Sequence, residues 1–481
     1  MIFATLFPFL SETTTNGPLW WMITVGVVFI SAYALMLTFS KWRAYIAASA
    51  AGLFLLTYLI WSLVDPTMWA TFAKTFYKDG TTGGVDWNVI LMIAGTMGLV
   101  TMFIESKMPA LLADKIIEKT PNAKWAMISL SVFAGIISAF IDNVATVLIV
   151  APIVINVARK SGINPIKGLI AIAIASNLEG AATLVGDTTS IITAGHLHLN
   201  FADFFWYHGR PSLFFVNQIG LLLATLTLLF VFRKDTQKIT SDGKTIVKDY
   251  FPSFLMLALV GLLIVASFIA WPDTYVSNLI NGLICISLMI VGVIYSSLRK
   301  RNLSPLKETI HGIDFQTILM LVSIFIMVFA LTQSGIVAMI GQGISSLAGD
   351  NVFLAYTIIV FVSVLVSAFI DNIPYVAMML GVVEIIAYNF AGSPQFAHLG
   401  AEAYLIISTP LYFGLLVGST LGGNLTPVGA SANITAMGIL RKQGYEVSTG
   451  DFMKISLPYT LAAVLSAYGI VWLLFGLQIS L

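Results

Sequence analysis

The same acidic string occurs twice, as SAFIDNVATV at 138–147 and SAFIDNIPYV at 367–376, each near the middle of a long apolar stretch, 125–158 and 353–389. An Asp-Asn pair inside such a stretch forbids a plain apolar helix and asks for a broken one. The surrounding solvent sets how strict that demand is. Apolar runs long enough to cross a hydrocarbon core of ~30 Å recur from Trp20 onward. Of the 481 residues 58% are hydrophobic and 10% charged, against about 25% charged in a soluble domain. The chain therefore reads as an all-α polytopic membrane protein. Every backbone polar group at membrane depth must then be satisfied by helix or by protein contact. A net charge of +1 gives no reason to expect nucleic acid, and no soluble catalytic segment separates the apolar runs, so an enzyme is not expected. No Lys or Arg precedes Lys41, so the first run reads as a retained helix rather than a cleaved leader. The lone Cys285 sits in an apolar run as a small buried side chain.

Unbroken spans fit at about 20–40, 44–64, 86–105, 212–232, 251–271, 275–297, 314–333 and 457–479. Two further stretches, 168–195 and 405–436, are interrupted by glycines and polar residues, as helices unwound in mid-membrane are. They match one another, as the two Asp-Asn stretches do. The chain divides accordingly: scaffold helices in 1–85, a first repeat over 86–232 (DWNVILMIAG to Phe232), a connecting loop and two helices over 233–313, and a second repeat over 314–481 (from DFQTILMLVS).

As one straight helix, 125–158 would be about 50 Å long, too long to span even with tilt. Two arms of about 16 residues would each reach only ~24 Å. A re-entrant hairpin fits both lengths, and charge decides for it. With both Asp-Asn segments entering and leaving on one side and the N-terminus outside, 21 of the 24 Lys and Arg residues are cytoplasmic. If each segment crossed once, only 10 would be, against the positive-inside tendency. The expected architecture is two inverted repeats, each with a hairpin and a broken helix, about 10 spans plus 2 hairpins, in a cell (inner or plasma) membrane with both termini outside. Lys107 to Lys124 reads as an amphipathic segment along the cytoplasmic interface.

Asp142-Asn143 and Asp371-Asn372 sit where the second hairpin arms begin. Capping alone would account for them, since Asp and Asn oxygens accept first-turn amide hydrogens. A carboxylate at membrane depth also marks ion paths. The first broken helix reads SNLEGAATLVGDTTS over 176–190, and its partner STLGGNLTPVGASAN over 419–433. Aligning Gly186 with Gly429 pairs Ser176 with Ser419 and Thr183 with Thr426. Such stretches free carbonyls and present hydroxyl and amide oxygens, hard ligands that suit sodium. The candidate oxygens include Asn177, Thr188, Thr189, Ser367, Ser419, Asn424, Thr426, Ser431 and Asn433. Asp187 is matched by Ala430 and Glu179 by Gly422, so the first copy is the more acidic. Asp142, Glu179 and Asp187 are candidates for proton or sodium coupling, with sodium placed at Asp142, Asn143, Asp187 and Asn372. No Lys or Arg lies in the predicted core, so an anion would rest on half-helix N-termini, amides and hydroxyls. Gly414, Gly418 and Gly422 read as a close-packing stripe. His196, His198, Asp203 and His208 read as a solvated external loop.

The strings FIDNVATVLIVAPI, ATLVGDTTSI, FIDNIPYVAMM and LGGNLTPVGASANI resemble the ion-transporter superfamily. That group includes arsenite permeases, NhaD-type sodium/proton antiporters, the melanosomal P protein and, more distantly, sodium/dicarboxylate symporters. The likeness runs from about Asp86 onward. It implies ion or substrate contacts for Asp142, Asn143, Asn177, Asp187, Thr189, Asp371, Asn372, Asn424, Ser431 and Asn433, and a homodimer. DNIPY and GASAN are similar to the arsenite-permease and P-protein branch. That branch reads GDPPN where this chain has Gly186-Asp187-Thr188-Thr189-Ser190, which is closer to the antiporters. The expected function is secondary transport of a small inorganic or carboxylate ion, with Na+ or H+ as the coupling ion and no other cofactor. NhaD-type Na+/H+ antiport is the alternative, and a passive channel a further one.

Overall fold

The structure is a computed structural model, and it describes residues 19–79, 82–239, 245–247, 249–271 and 277–479. Among these, ten helices are long and apolar enough to cross a membrane. The helices in chain order are α1 (Leu19–Thr38), α2 (Arg43–Val64), α3 (Met68–Lys74), α4 (Trp87–Glu105), α5 (Met108–Glu118), α6 (Ala123–Ser138) and α7 (Asn143–Ser161). They continue with α8 (Ile166–Gly180), α9 (Thr188–Leu197), α10 (Leu213–Val231), α11 (Phe251–Ser267), α12 (Ile280–Lys300), α13 (Ser304–Gly312) and α14 (Phe315–Gln333). The last six are α15 (Ile336–Ala348), α16 (Val352–Ser367), α17 (Asn372–Ala391), α18 (Ala403–Gly422), α19 (Ser431–Lys442) and α20 (Thr449–Val471).

Helix ends fall where the sequence supplies a reason. Asn122 accepts the Trp125 amide at 3.2 Å and opens α6, while Gly162 at φ +66° closes α7. Both Asp-Asn strings interrupt their helices. The first leaves 139–142 between α6 and α7, and the second leaves 368–371 between α16 and α17. The two glycine-rich stretches break as well, with 181–187 between α8 and α9 and 423–430 between α18 and α19. The expected span 251–271 is shorter than read, because α11 ends at Ser267 and leaves Phe268 and Trp271 exposed. The expected span 457–479 begins earlier, at Thr449, where Ser448 accepts the Asp451 amide at 3.1 Å. Lys107–Lys124 contains one short helix, α5, burying Pro109, Ala113 and Ile117 at a spacing of four. α15 is a further short amphipathic helix in the matched position after α14. Each of these two helices is reached through a left-handed residue, Lys107 at φ +61° or Gly335 at φ +84°.

Two compact units divide the chain. One holds the described residues up to Trp87 with Phe315–Ile358 and Ala377–Tyr412. Its centre is α2, packed on α1 and α14. Trp21, Phe54, Tyr58 and Phe329 form an aromatic chain there, with Trp21 5.3 Å from Tyr58 and Tyr58 6.1 Å from Phe329. The other unit holds Asn88–Asp314, Ile359–Val376 and Phe413–Leu481. Its core is α8, every residue of which from Gly168 to Gly180 is buried. Against α8 pack α6, α7, α10, α19 and α20, and α10 lies along α20. An ion pair ties the foot of α8 to the segment after α10, Lys167 to Asp235 at 3.0 Å. All fifteen candidate residues fall in this second unit.

Candidate functional site

The two halves of the site are built alike. At each broken helix a threonine hydroxyl donates to a carbonyl of the facing Asp-Asn turn, Thr183 to Ala139 O and Thr426 to Ala368 O. The following glycine lies against three carbonyl oxygens in each copy. A Cβ on Gly186 would come within 2.8–3.0 Å of the oxygens of Gly180, Ser138 and Ala139, and one on Gly429 within 2.7–2.9 Å of those of Gly423, Ala368 and Ser367. No other residue fits at those two positions. The next helix is then laced back by its own polar residue, with Ser190 Oγ donating to Gly180 O at 3.0 Å and Asn433 Nδ2 donating to Gly423 O at 3.0 Å. Asn433 Nδ2 also reaches Thr426 O at 2.9 Å.

Between the halves sits Asn177, fully buried. Its Nδ2 donates to Thr420 O at 2.8 Å and to Asn424 Oδ1 at 3.1 Å, and its Oδ1 accepts from Asn143 Nδ2 at 3.0 Å. Asn424 returns the contact, donating from Nδ2 to Ile174 O at 3.0 Å. Ser176 Oγ donates to Asn143 O at 3.1 Å, and Ser367 Oγ donates to Ser419 O at 2.5 Å. Thr189 completes the junction: its hydroxyl lies 3.2 Å from that of Thr420 and donates to Asp187 Oδ2 at 2.9 Å. Buried amides with both ends satisfied make a stiff network, because each lost partner would leave an unpaired polar group in low dielectric.

The carboxylates cap helices. Asp142 Oδ1 accepts the amides of Val144 and Ala145 at 3.0 and 3.1 Å, Asp371 Oδ1 that of Ile373 at 3.2 Å, and Asp187 Oδ1 that of Thr188 at 2.8 Å. Asp142 and Asp371 are half-buried, and both lie within electrostatic range of Asp187. Asn372 and Thr188 are buried beside these caps, and Ser431 opens α19, half-buried. α19 has no side-chain cap, since Ala430 stands where Asp187 stands in the other copy. The oxygens left without a partner around the first turn are Ser138 Oγ and Thr146 Oγ1, and near the second break Asn433 Oδ1. Among the described residues no three His, Cys, Asp or Glu side chains cluster as a metal site.

Glu179 is the candidate that lies elsewhere. It projects to the opposite side of α8, where Gln218 of α10 donates to its Oε2. Thr420, Gln218 and Tyr459 were absent from the residues singled out in the sequence. Thr420 was legible, because the alignment of Gly186 with Gly429 also matches it to Asn177. Gln218 carried the signal of an adjacent pair of amides, Asn217-Gln218, in the apolar stretch LFFVNQIG. Tyr459 carried none.

The citrate transporter family model matches residues 20–409, most of the chain. This protein belongs to that family. Its relatives include an uncharacterized transporter of Mycobacterium tuberculosis, 30% identical over 466 residues covering 94% of this chain and 98% of that one. The mouse P protein is 26% identical over 454 residues, covering 78% of this chain and 52% of its own length. Among solved structures, the Alcanivorax borkumensis YdaH transporter, described as having an unusual topology, matches with a TM-score of 0.52 at 14% identity over 80% of this chain and 84% of its own. The Neisseria gonorrhoeae antimetabolite efflux pump MtrF matches with a TM-score of 0.52 at 14% identity over 92% and 98%. At such identity the two structures speak to the fold alone. Family and fold together make this member of the citrate transporter family a multi-pass membrane transporter.

Proposed function

We propose that the chain is a secondary active transporter for a small carboxylate anion such as citrate, coupled to Na+ or H+ and working by alternating access. The observation that carries this reading is the junction at Asn177. Residues matched by the internal alignment, Asn177 and Thr420, touch one another there, as residues near a pseudo-two-fold axis would. Around it four helices begin at the breaks, α7, α9, α17 and α19, and their first-turn amides offer the positive end of the helix dipole. The breaks contain no Lys or Arg, so those amides and the hydroxyls of Thr188, Ser431 and their neighbours are the groups that would hold an anion. The uncapped start of α19 supports placing the substrate there. The capped, acidic start of α9 supports placing the coupling ion beside Asp187, Asp142 and Asn143.

In this reading the paired arms α6–α7 and α16–α17 are re-entrant hairpins of inverted repeats. The termini face outward, and the first unit serves as scaffold in a homodimer. Na+/H+ antiport of NhaD type is the second reading, favoured by the nearness of Asp142 to Asp187 and by Thr188-Thr189 after Asp187. Purified protein in liposomes loaded with a pH-sensitive dye separates the two. Citrate uptake that needs a Na+ or H+ gradient, and is lost in Asp187→Asn, is the expected result. Proton movement on adding Na+ or Li+ alone, with no citrate uptake, would replace the first reading by the second.

A further inference from the structure

Glu179 occupies a second polar centre, distinct from the Asn177 junction. Its carboxyl is fully buried where α8 meets α6 and α10. Gly135 of α6 makes the room: a Cβ there would stand 3.1 Å from Glu179 Cγ and 3.4 Å from Leu221 of α10. Gln218 donates to Oε2, while Oε1 has no partner. Beside it, Tyr459 of α20 lies within electrostatic range, and its buried hydroxyl faces that of Thr225 on α10.

The charged groups on the packed elements all stand at helix ends. α10 carries none from Leu213 to Val231. α6 has only Lys124 in its first turn, and α8 only Lys167, already paired with Asp235. α7 has Arg159 and Lys160 in its last turn, and α19 has Arg441 and Lys442 in its last turn. α20 has Asp451 and Lys454, paired with each other near its start. Tyr459 is thus the titratable side chain facing Glu179. A carboxylate with one neutral amide donor and no cation is uncompensated in low dielectric. A carboxylic acid is not, and its O–H is a donor beside the hydroxyls of this centre.

We propose that Glu179 is a proton-carrying site of the transport cycle. Oε1 takes up one proton from water by way of the hydroxyls of Tyr459 and Thr225 as α8 packs against α10 and α20, giving a neutral carboxylic acid, and returns it to water when that packing opens. The proposal rests on the transport reading above and names the proton as a coupling ion. The neutral Gln218 positions the carboxyl by holding Oε2, leaving Oε1 free for the exchange. The second copy has no counterpart, since Gly422 stands where Glu179 does.

Infrared difference spectra of the reconstituted full chain, recorded across pH in H2O and D2O without substrate, test the site directly. A protonated-carboxyl band at neutral pH, lost in Glu179→Gln and kept in Asp187→Asn, is expected. Its absence from the wild type, or its persistence in Glu179→Gln, overturns the proposal. Citrate uptake driven by a pH gradient supplies the second arm. Glu179→Gln loses that drive and keeps gradient-free citrate exchange, and Tyr459→Phe shifts the pH profile of uptake. Unchanged pH-driven uptake in Glu179→Gln overturns the proton site while leaving the transport reading intact. Failure of the wild type to take up citrate, with the infrared band present, strikes the substrate and not the proton site.

Discussion

The two helix breaks share a frame and differ in what fills it. In the first, residues 181–190 are buried throughout and Asp187 caps the helix that follows. In the second, Val428 is 59% exposed and Ala430 leaves α19 uncapped. The facing helices differ in the same sense. Gly135 of α6 stands against the full side chain of Glu179, whereas in the second copy the small residue has changed sides. There Gly422 and Gly418 of α18 lie against the backbone of Val364 and Val360 on α16. The turn beyond also differs: Tyr375 sits 3.0 Å from Ser363 Oγ, while its match Thr146 keeps an unpartnered hydroxyl. Threonine, glycine and carbonyl contacts reproduce the geometry twice. Asp142 and Asp371 are matched, but Asp187 and Glu179 occur once, so shape is duplicated where part of the chemistry is not.

Replacing the acid should have the largest effect on that contrast. Asp187→Asn keeps a side-chain oxygen for the Thr188 amide, and Asn caps about as well as Asp. Loss of coupled uptake with an unchanged thermal melt in detergent is therefore expected. A melt that falls along with uptake would reduce Asp187 to a cap. Next come the packing glycines. A Cβ on Gly422 would meet Val364 O at 2.5 Å, against backbone that cannot step aside, whereas at Gly135 the nearest atom belongs to the Glu179 side chain. Gly422→Ala should cost ~1–3 kcal/mol and Gly135→Ala clearly less. Equal losses would mean that the two crossings do not differ as described.

Installing the missing cap is a smaller change. Ala430→Asp should raise stability by ~0.5–2 kcal/mol if α19 accepts the cap, and should weaken citrate uptake by placing a negative charge where the anion is proposed to bind. Stronger uptake would count against that placement. Smallest are the hydroxyls of the two turns. Tyr375→Phe breaks a made bond and should cost ~0.5–1.5 kcal/mol, while Thr146→Val removes an unmet one and should be nearly neutral. Denaturation of both variants in sodium-free buffer reads the difference.

Much of this was legible in the sequence because membrane burial leaves few options for polar residues. The SAFIDN strings announced both turns, and the paired glycine-rich stretches announced both breaks to within a few residues. The spacing of Gly418 and Gly422 announced a close helix contact. Less legible was anything set by which way a helix faces. Asn177 and Glu179 are two residues apart and were grouped together, yet the turn of α8 sends one to the junction and the other to Gln218. The Asn177–Asn424 bond could not be read from the alignment either, since that pairs Asn177 with Thr420. Asn424 reaches it from the break that follows α18. α15 was not legible, because thirteen residues with Gly341 and Gly343 resemble a connecting loop more than a helix.

The opposite placement of Gly135 and Gly422 also limits how one crossing could be converted into the other. Moving the small residue from one helix to the other takes two substitutions. Either one made first leaves a collision or a void at the crossing. Glycine on both sides is the looser of these two combinations, and it is the one that leaves room for an acid. A chimera joining two first halves would carry two buried glutamates, and one joining two second halves would carry none.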